Sequence, residues 1–117
     1  MRAKLKLIHD LFGEFNPDEY FPEDEDVFHV SLLLGIGVED GNSMDYFDVF
    51  ICTPKWIKLK ESKPLLLRYT IIVECYDFKE ILKCINSYID NCDGDNWEEI
   101  SHKLSRFFRW EFDDYKP

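Results

Sequence analysis

The spacing of apolar residues changes near Asp77, and this change constrains the fold more than any other feature of the sequence. Before it, apolar and polar residues alternate, which is the period of a strand with one buried face. After it, apolar residues recur every three or four positions, which is the period of a helix. Strands that come first and helices that come last favour a sheet with the helices packed on one face. The sequence therefore predicts an α+β fold, with an antiparallel sheet of about four strands followed by two C-terminal helices packed on one face.

Four segments carry the strand pattern. In the first, Ala3, Leu5 and Leu7 lie on one side and alternate with lysines. The second, "VFHVSLLLGIGV", and the third, "MDYFDVFICT", are joined by the turn residues "EDGNS" and should form an antiparallel hairpin. Thr53-Pro54 is a signal for the end of a strand and for helix entry, so the connection that begins there is predicted to be irregular or a short helix. It leads to the fourth strand in "LLLRYTIIVECYD". The simplest phasing of that strand turns five side chains inward: Leu67, Tyr69, Ile71, Val73 and Cys75.

Two helical stripes follow the strands. Asp77 with Glu80 resembles a capping box at the start of the first helix, and Asp95 with Glu98 repeats this signal for the second. The second stripe contains residues that we expect in the core, with a run of aromatics at its end: Trp97, Ile100, Leu104, Phe107 and Phe108. With no repeat, linker or change of composition along 117 residues, the chain is predicted to be a single domain spanning residues 1–117.

The charge of the chain restricts its partners. It has 24 acidic and 14 basic residues, a formal net charge of -10. Direct binding to nucleic acid is disfavoured, because phosphate binding needs Lys and Arg to replace counterions. A basic protein is the natural complement, since the opposite charges would raise the association rate.

The acids are concentrated in one segment, which we call the acidic loop (residues 10–26). It contains no Lys or Arg, and prolines interrupt any helix there. Its eight acids are Asp10, Glu14, Asp18, Glu19, Glu23, Asp24, Glu25 and Asp26. It also contains Phe12, Phe15, Tyr20 and Phe21, some of which are expected to hold the loop to the body of the protein. The sequence thus predicts an exposed acidic surface with aromatic attachments.

Groups suited to catalysis are scarce. The three histidines have no partner at a spacing typical of a general base, and neither a nucleophile elbow, a phosphate loop nor a calcium loop is present. Cys52, Cys75, Cys84 and Cys92 fit no zinc spacing, and we interpret them as reduced core residues of a cytosolic protein that has no membrane segment. No enzyme, metal or cofactor is predicted. A small enzyme that uses carboxylates, with or without a metal, is the alternative.

Three stretches resemble the immunity protein 8 family: "FDVFICTPKW" (residues 47–56), "YTIIVECYDFKEI" (69–81) and "GDNWEEISHKLSRFFRWEFDDYKP" (94–117). Members of that family are encoded beside the toxins of bacterial polymorphic and contact-dependent growth inhibition systems. The resemblance implies a protein that binds and neutralises a cognate toxin domain, and it implies no catalysis. The family motifs fall on Cys52, Thr53, Pro54, Lys55, Trp56, Trp97, Trp110, Glu111, Phe112 and Tyr115. The segments 11–16 and 55–63 depart from the family pattern and could carry variable toxin contacts.

The motif residues and the partner contacts need not coincide. Large aromatics belong to a core more often than to an interface, so Trp110, Phe112 and Tyr115 are interpreted mainly as anchors of the C-terminal segment, with an interface role as the alternative. Discrimination between related toxins should instead come from variable charges. The predicted partner-facing residues are Asp18, Glu19, Glu23, Asp24, Glu39, Asp40 and Asp45.

The expected partner is the C-terminal domain of a toxin. Because many nuclease toxins are basic, the predicted toxin is a basic nuclease. Two other interpretations stay open at this level. The protein could be an acidic adaptor or a mimic of nucleic acid directed at a host enzyme instead of a toxin, and any single acid could simply be solvated surface.

Overall fold

The structure is a computed structural model that describes residues 1–60 and 63–113, and these form a single sheet with two of the three described helices packed on one face. The strands in the described residues are β1 (Ala3–Asp10), β2 (His29–Val38), β3 (Asp45–Cys52), β4 (Thr70–Ile72) and β5 (Arg109–Trp110). The helices there are α1 (Pro54–Lys60), α2 (Phe78–Asp90) and α3 (Trp97–Leu104). The strand order is β1-β2-β3-β4, and β5 also pairs with β3. The α+β prediction is therefore confirmed.

The prediction of an antiparallel sheet holds for β1, β2 and β3 but fails at β4. β1–β2 and β2–β3 are antiparallel pairs, as is β3–β5, whereas β4 runs parallel to β3. The reason is α1, which begins directly after β3 and carries the chain back before β4 starts. Such a crossover produces a parallel pair, while a tight hairpin produces an antiparallel one. The sheet is therefore mixed, and the connection predicted to be irregular or a short helix is the helix α1, which adds to the two C-terminal helices.

β4 is also much shorter than the predicted fourth strand. Only Thr70–Ile72 pairs with β3, and of the five side chains predicted to point inward, Ile71 and Val73 pack on the core. Cys75 is exposed, as is the run of leucines before the strand, of which Leu66 is 101% exposed. The segment has a high strand propensity, but only three of its described residues pair with a neighbouring strand. Most of the segment therefore lies outside the sheet.

A bulge in β1 changes which side chains reach the core. The register with β2 shifts between Leu5 and Leu7. The shift moves Ile8 and Asp10 to the buried face and places Leu7 on the opposite face, where the sequence had predicted it to follow Leu5. Burial of the Asp10 carboxylate is compensated, because it accepts the backbone N–H of Glu14 at 2.9 Å.

The core lies between α2 and α3 and one face of β2 and β3. Ile81, Ile85 and Ile89 of α2 and Ile100 and Leu104 of α3 are buried there. They pack with alternating residues of the two strands, which are Val30, Leu32, Leu34 and Ile36 of β2 and Phe47, Val49 and Ile51 of β3. Each of these sheet residues is at most 4% exposed.

The helix starts agree with the sequence to within one residue. Asp77 caps α2 and accepts the backbone N–H groups of Lys79 and Glu80, as predicted. α3 begins one residue later than predicted, because its cap is Asn96, which accepts the N–H of Glu99 at 2.9 Å.

α3 ends earlier than the apolar stripe suggested. Its last residue is Leu104, and the chain then turns to place Arg109 and Trp110 on β3. Phe108 is buried as expected. Phe107, which was predicted to be core, is 58% exposed, because the helix that would have turned it inward has already ended.

The cysteine prediction holds for two residues of four. All four are free thiols, and Cys52 and Cys92 are buried, which raises the pKa of both. Cys75 and Cys84 are exposed, because Cys75 lies beyond the short β4 and Cys84 lies on the outer face of α2.

Candidate partner-binding surface

The acidic loop is held in place by aromatic side chains. Phe15 stacks on Tyr20 with ring centroids 4.0 Å apart, and Tyr20 meets the edge of Tyr76 at 5.2 Å. Tyr76 in turn packs at 5.2 Å against Phe28, a buried core residue just before β2. The prediction that aromatics attach this loop is confirmed for Phe15 and Tyr20.

Hydrogen bonds from Tyr76 fix the same loop. Its hydroxyl donates to the carbonyl of Pro17 at 2.6 Å, and its backbone N–H donates to the carbonyl of Glu25 at 2.8 Å. Burial of the ring raises the pKa of Tyr76 to about 12. A residue that follows β4 thus holds two points of the acidic loop, and no local sequence pattern indicated this role.

The structure separates six of the seven predicted partner-facing acids into two groups. Asp18, Glu19, Glu23 and Asp24 are exposed on the acidic loop before β2, whereas Glu39 and Asp40 are exposed in the turn after it. At roughly 3.3 Å per residue, the two ends of β2 are about 30 Å apart. A small contact area could not cover both groups. Their contact with a partner stays a prediction.

The seventh acid, Asp45, lies in a different environment. Its Oδ2 accepts the indole N–H of Trp97 at 2.8 Å and that of Trp110 at 3.0 Å. Trp110 also stacks on the core residue Phe47 with ring centroids 6.4 Å apart. One carboxylate therefore ties the start of α3 and the strand β5 to the start of β3, which gives Asp45 a structural role that the sequence did not reveal.

The motif residues next to Trp110 complete this attachment. Glu111 donates its backbone N–H to the carbonyl of Tyr46 at 2.9 Å, and the Glu111 carboxylate accepts the backbone N–H of Tyr46. Phe112 packs its ring against Trp110 at 5.4 Å and is partly exposed. Tyr115, predicted as a further anchor, lies outside the described residues.

An ion pair links the neighbouring positions of β5 and β3. The guanidinium of Arg109 donates to both carboxylate oxygens of Asp48 at 2.7 to 3.1 Å. The two residues are 61 positions apart, so the sequence carried no signal for the pair.

The second motif group begins α1 at the other end of β3. Thr53 is fully buried, and its Oγ1 accepts the N–H of Trp56 at 3.2 Å, which is the bond of an N-cap residue. Pro54 follows as the first helical residue, where its missing N–H costs nothing. The buried Cys52 precedes them. This start places Lys55 and Trp56 beside the acidic loop.

Charges connect α1 and the acidic loop. Lys55 Nζ lies 2.6 Å from Asp26 Oδ2. The hydrogen bond to Lys55 lowers the pKa of Asp26 and raises that of the lysine, whereas the hydrogen bond to Asp26 raises the pKa of Asp24. Two carboxylates thus share one cation, and negative charge remains at this edge.

An open groove of about 670 Å³ runs between the acidic loop and α1. Glu23 and Asp24 lie on its loop side, and Trp56 and Lys60 on its α1 side. The rings of His29 and Trp56 are 4.8 Å apart, so the groove combines carboxylates with aromatic surface. This is a geometry suited to a basic side chain, because a cation can lie against a ring and pair with an acid.

Within residues 1–60 and 63–113, no group of three or more His, Cys, Asp or Glu side chains is arranged to hold a metal ion. No helix in the described part of the chain is both long and apolar enough to cross a membrane.

Comparison with known proteins assigns the family. A family model described as immunity protein 8 matches residues 3–115. No curated protein and no solved structure matches the chain. The match covers nearly the whole sequence and confirms the resemblance drawn from the three stretches above. Membership implies a protein that neutralises a cognate toxin protein by binding to it, and it suggests an inhibitor without catalytic activity. The chain belongs to the immunity protein 8 family.

Proposed function

We propose that this immunity protein neutralises a basic toxin domain, with a nuclease as the expected activity, by forming a one-to-one complex in the cytoplasm of the bacterial cell that makes it. The toxin would be the C-terminal domain of a polymorphic or contact-dependent growth inhibition toxin. The observation that carries this proposal is the acidic loop, which has eight acids and no base. Six of these acids face solvent from a backbone that core aromatics hold in place: Glu14, Asp18, Glu19, Glu23, Asp24 and Glu25.

Charge supports a basic partner. The formal net charge of -10 gives a negative field, which would attract a positively charged toxin and speed its association. Nuclease toxins need a basic surface to bind phosphates, so an acidic inhibitor can cover the same surface that the substrate uses. The direct ligand is therefore a protein and not nucleic acid.

Order in the acidic loop supports tight binding. A flexible loop would lose conformational entropy on binding, and that loss would subtract from the affinity. Here the stack of Phe15, Tyr20 and Tyr76 and the hydrogen bonds of Tyr76 have already fixed the backbone. The acids can then be presented to the toxin at a small additional cost.

Calorimetry tests the proposal. The protein is titrated with an inactive variant of the toxin C-terminal domain encoded directly upstream, at about 50 mM and about 500 mM NaCl, where screening lengths differ about threefold. We expect one-to-one binding in the nanomolar range or tighter, with affinity at least about tenfold weaker at high salt. No complex at either salt would reject the pairing. Tight binding that is insensitive to salt would reject the acidic interface and keep the neutralising role.

An activity assay tests the toxin class. If the toxin is a nuclease, its cleavage of nucleic acid should stop when the immunity protein reaches equal molar amounts. A toxin domain that cleaves neither DNA nor RNA would contradict the nuclease part alone. Comparable binding to unrelated basic proteins, such as lysozyme and histones, would instead favour the acidic mimic.

A further inference from the structure

Phe21 is a large apolar side chain that the fold does not use. It lies in the middle of the acidic loop and is 91% exposed. Its neighbour Tyr20 packs into the aromatic stack, and Pro22 lines the groove beside α1. We propose that the toxin binds at this end of the molecule, with Phe21 as its apolar anchor and the groove as the site of a toxin Lys or Arg side chain. This inference rests on the function proposed above and adds the location of the interface.

The backbone around Phe21 is fixed although its ring is exposed. On one side the Tyr20 ring is stacked, and Pro17 accepts the Tyr76 hydroxyl. On the other side Glu25 accepts the Tyr76 N–H. A Phe held in this way exposes apolar area to water and loses little backbone freedom when it is buried. Interfaces concentrate their binding energy in aromatic anchors of this kind, surrounded by polar residues.

Charges around Phe21 provide the polar rim. Glu19 and Glu23 flank it in the sequence, both are exposed, and Asp24 follows at the groove. The cations at this end, Lys55 and Lys60, belong to α1 and not to the loop. The rim is therefore negative on the side of Phe21, which matches a basic toxin surface.

The acids at the opposite end of β2 are less suited to this role. There the Glu39 backbone N–H donates to the carbonyl of Arg2, and Arg2 and Lys4 lie beside Glu39 around the same hollow. Lys6 Nζ donates to the carbonyl of Ser43, 3.3 Å away, in the turn that carries Asp40. Three bases of β1 and its approach thus offset the two acids of this turn. The structure favours the acidic loop over Glu39 and Asp40 as the docking site.

The groove adds a specific receptor for one basic side chain. A guanidinium or ammonium group that enters it can lie against Trp56 or His29 while it pairs with Glu23 or Asp24. The occupant is thus a toxin domain with a basic surface, an apolar hollow for Phe21 and a Lys or Arg beside that hollow. The anchor should control dissociation, while the exposed charges should control association.

Association and dissociation rates of four variants test this division. The probe is the inactive toxin C-terminal domain encoded directly upstream, and the variants are Phe21→Ala, Glu23→Gln with Asp24→Asn, and two controls. The controls are Glu39→Gln with Asp40→Asn, which matches the change in charge, and Phe107→Ala, which removes another exposed Phe beside α3.

The two test variants should change different rates. Phe21→Ala should raise the dissociation rate at least about tenfold and change the association rate less than about threefold. Glu23→Gln with Asp24→Asn should lower the association rate about threefold or more at low salt, and this difference should vanish at high salt. Both controls should change either rate less than about twofold. Thermal unfolding of Phe21→Ala should match that of the unchanged protein, because the ring makes no core contact.

The outcomes separate the two proposals. If the unchanged protein forms no complex, the proposed function fails for this toxin and the inference falls with it. If it binds, but Glu39→Gln with Asp40→Asn weakens the complex while Phe21→Ala does not, the location is wrong and the function stands.

Discussion

Replacing Asp45 with Ala removes an acceptor that two indole groups share. Trp97 and Trp110 donate to one carboxylate oxygen at 2.8 and 3.0 Å, and both indoles are half-buried. A hydrogen bond to a charged group contributes about 1.5 to 3 kcal/mol. Because half-buried indoles can partly rehydrate, the lower end applies to each. We expect Asp45→Ala to lower the free energy of unfolding by about 3 kcal/mol in total.

Urea unfolding followed by tryptophan fluorescence measures this loss. With an unfolding entropy of about 2.1 cal/mol/K per residue, the same loss lowers Tm by about 12 °C. Asp45→Asn is the matched control, since its amide oxygen can still accept both N–H groups without the charge, and it should lose only about 1 kcal/mol. A loss below about 1 kcal/mol for Asp45→Ala, or equal losses for the two variants, would refute the shared-acceptor reasoning.

The same variant separates two roles for Asp45. The sequence predicted a partner contact, whereas the structure gives the carboxylate two internal donors. If the role is structural alone, folded Asp45→Ala protein should bind the toxin domain with unchanged affinity at a temperature well below its Tm. A weaker complex under those conditions would support the partner contact.

Three further predictions follow from the strands and from two half-buried tyrosines. A Cβ at Gly37 would lie 2.1 Å from the backbone carbonyl oxygen of Ser43, so Gly37→Ala should lower the free energy of unfolding by about 2 kcal/mol or more. Gly41→Ala is the control, because a Cβ at Gly41 would have its nearest contact at 3.5 Å and would not clash. Tyr76→Phe should cost about 1 kcal/mol and should speed amide exchange in the acidic loop, measured by mass spectrometry; unchanged exchange there would contradict the attachment. Burial raises the pKa of Tyr76 and Tyr88 to about 12, so the unfolded chain loses these two protons at lower pH than the folded protein does. The free energy of unfolding should therefore keep its full tyrosine contribution below pH 10 and fall between about pH 10 and 12. Urea titrations should show a smaller fall for Tyr88→Phe.

The parts of the fold that could be predicted are those in which local pattern and tertiary contact agree. Large apolar residues occupy every second position from Val30 to Ile36 in β2 and from Phe47 to Ile51 in β3, so these buried faces followed directly from the sequence. The apolar stripe of α2 and its cap at Asp77 behaved likewise. Such elements present one buried face to a continuous core.

The parts that could not be predicted depend on distant partners. The direction of β4 is set by the path of α1, and β5 exists only because two residues reach β3. The bulge in β1 adds one residue and reverses the alternation after Leu5, although the sequence there looks regular. A local pattern carries no information about any of these contacts.

The candidate site was predicted unevenly for the same reason. Composition alone identified the acidic loop and four of its exposed acids. The shared acceptor Asp45 lies 52 residues from Trp97 and 65 from Trp110, and nothing local marks it. The role of Tyr76 depends on a contact 59 residues away, with Pro17.

β3 has consequences for the order of events during synthesis. One of its edges pairs with β2, while the other is divided between β4 at residues 50–52 and β5 at residues 47–48. A growing chain that has not reached residue 110 therefore has a sheet whose β3 edge is only half covered. Uncovered strand edges can pair with the same edge of another chain. Until Arg109 and Trp110 leave the ribosome, neighbouring nascent chains on one message should be prone to associate through this strand.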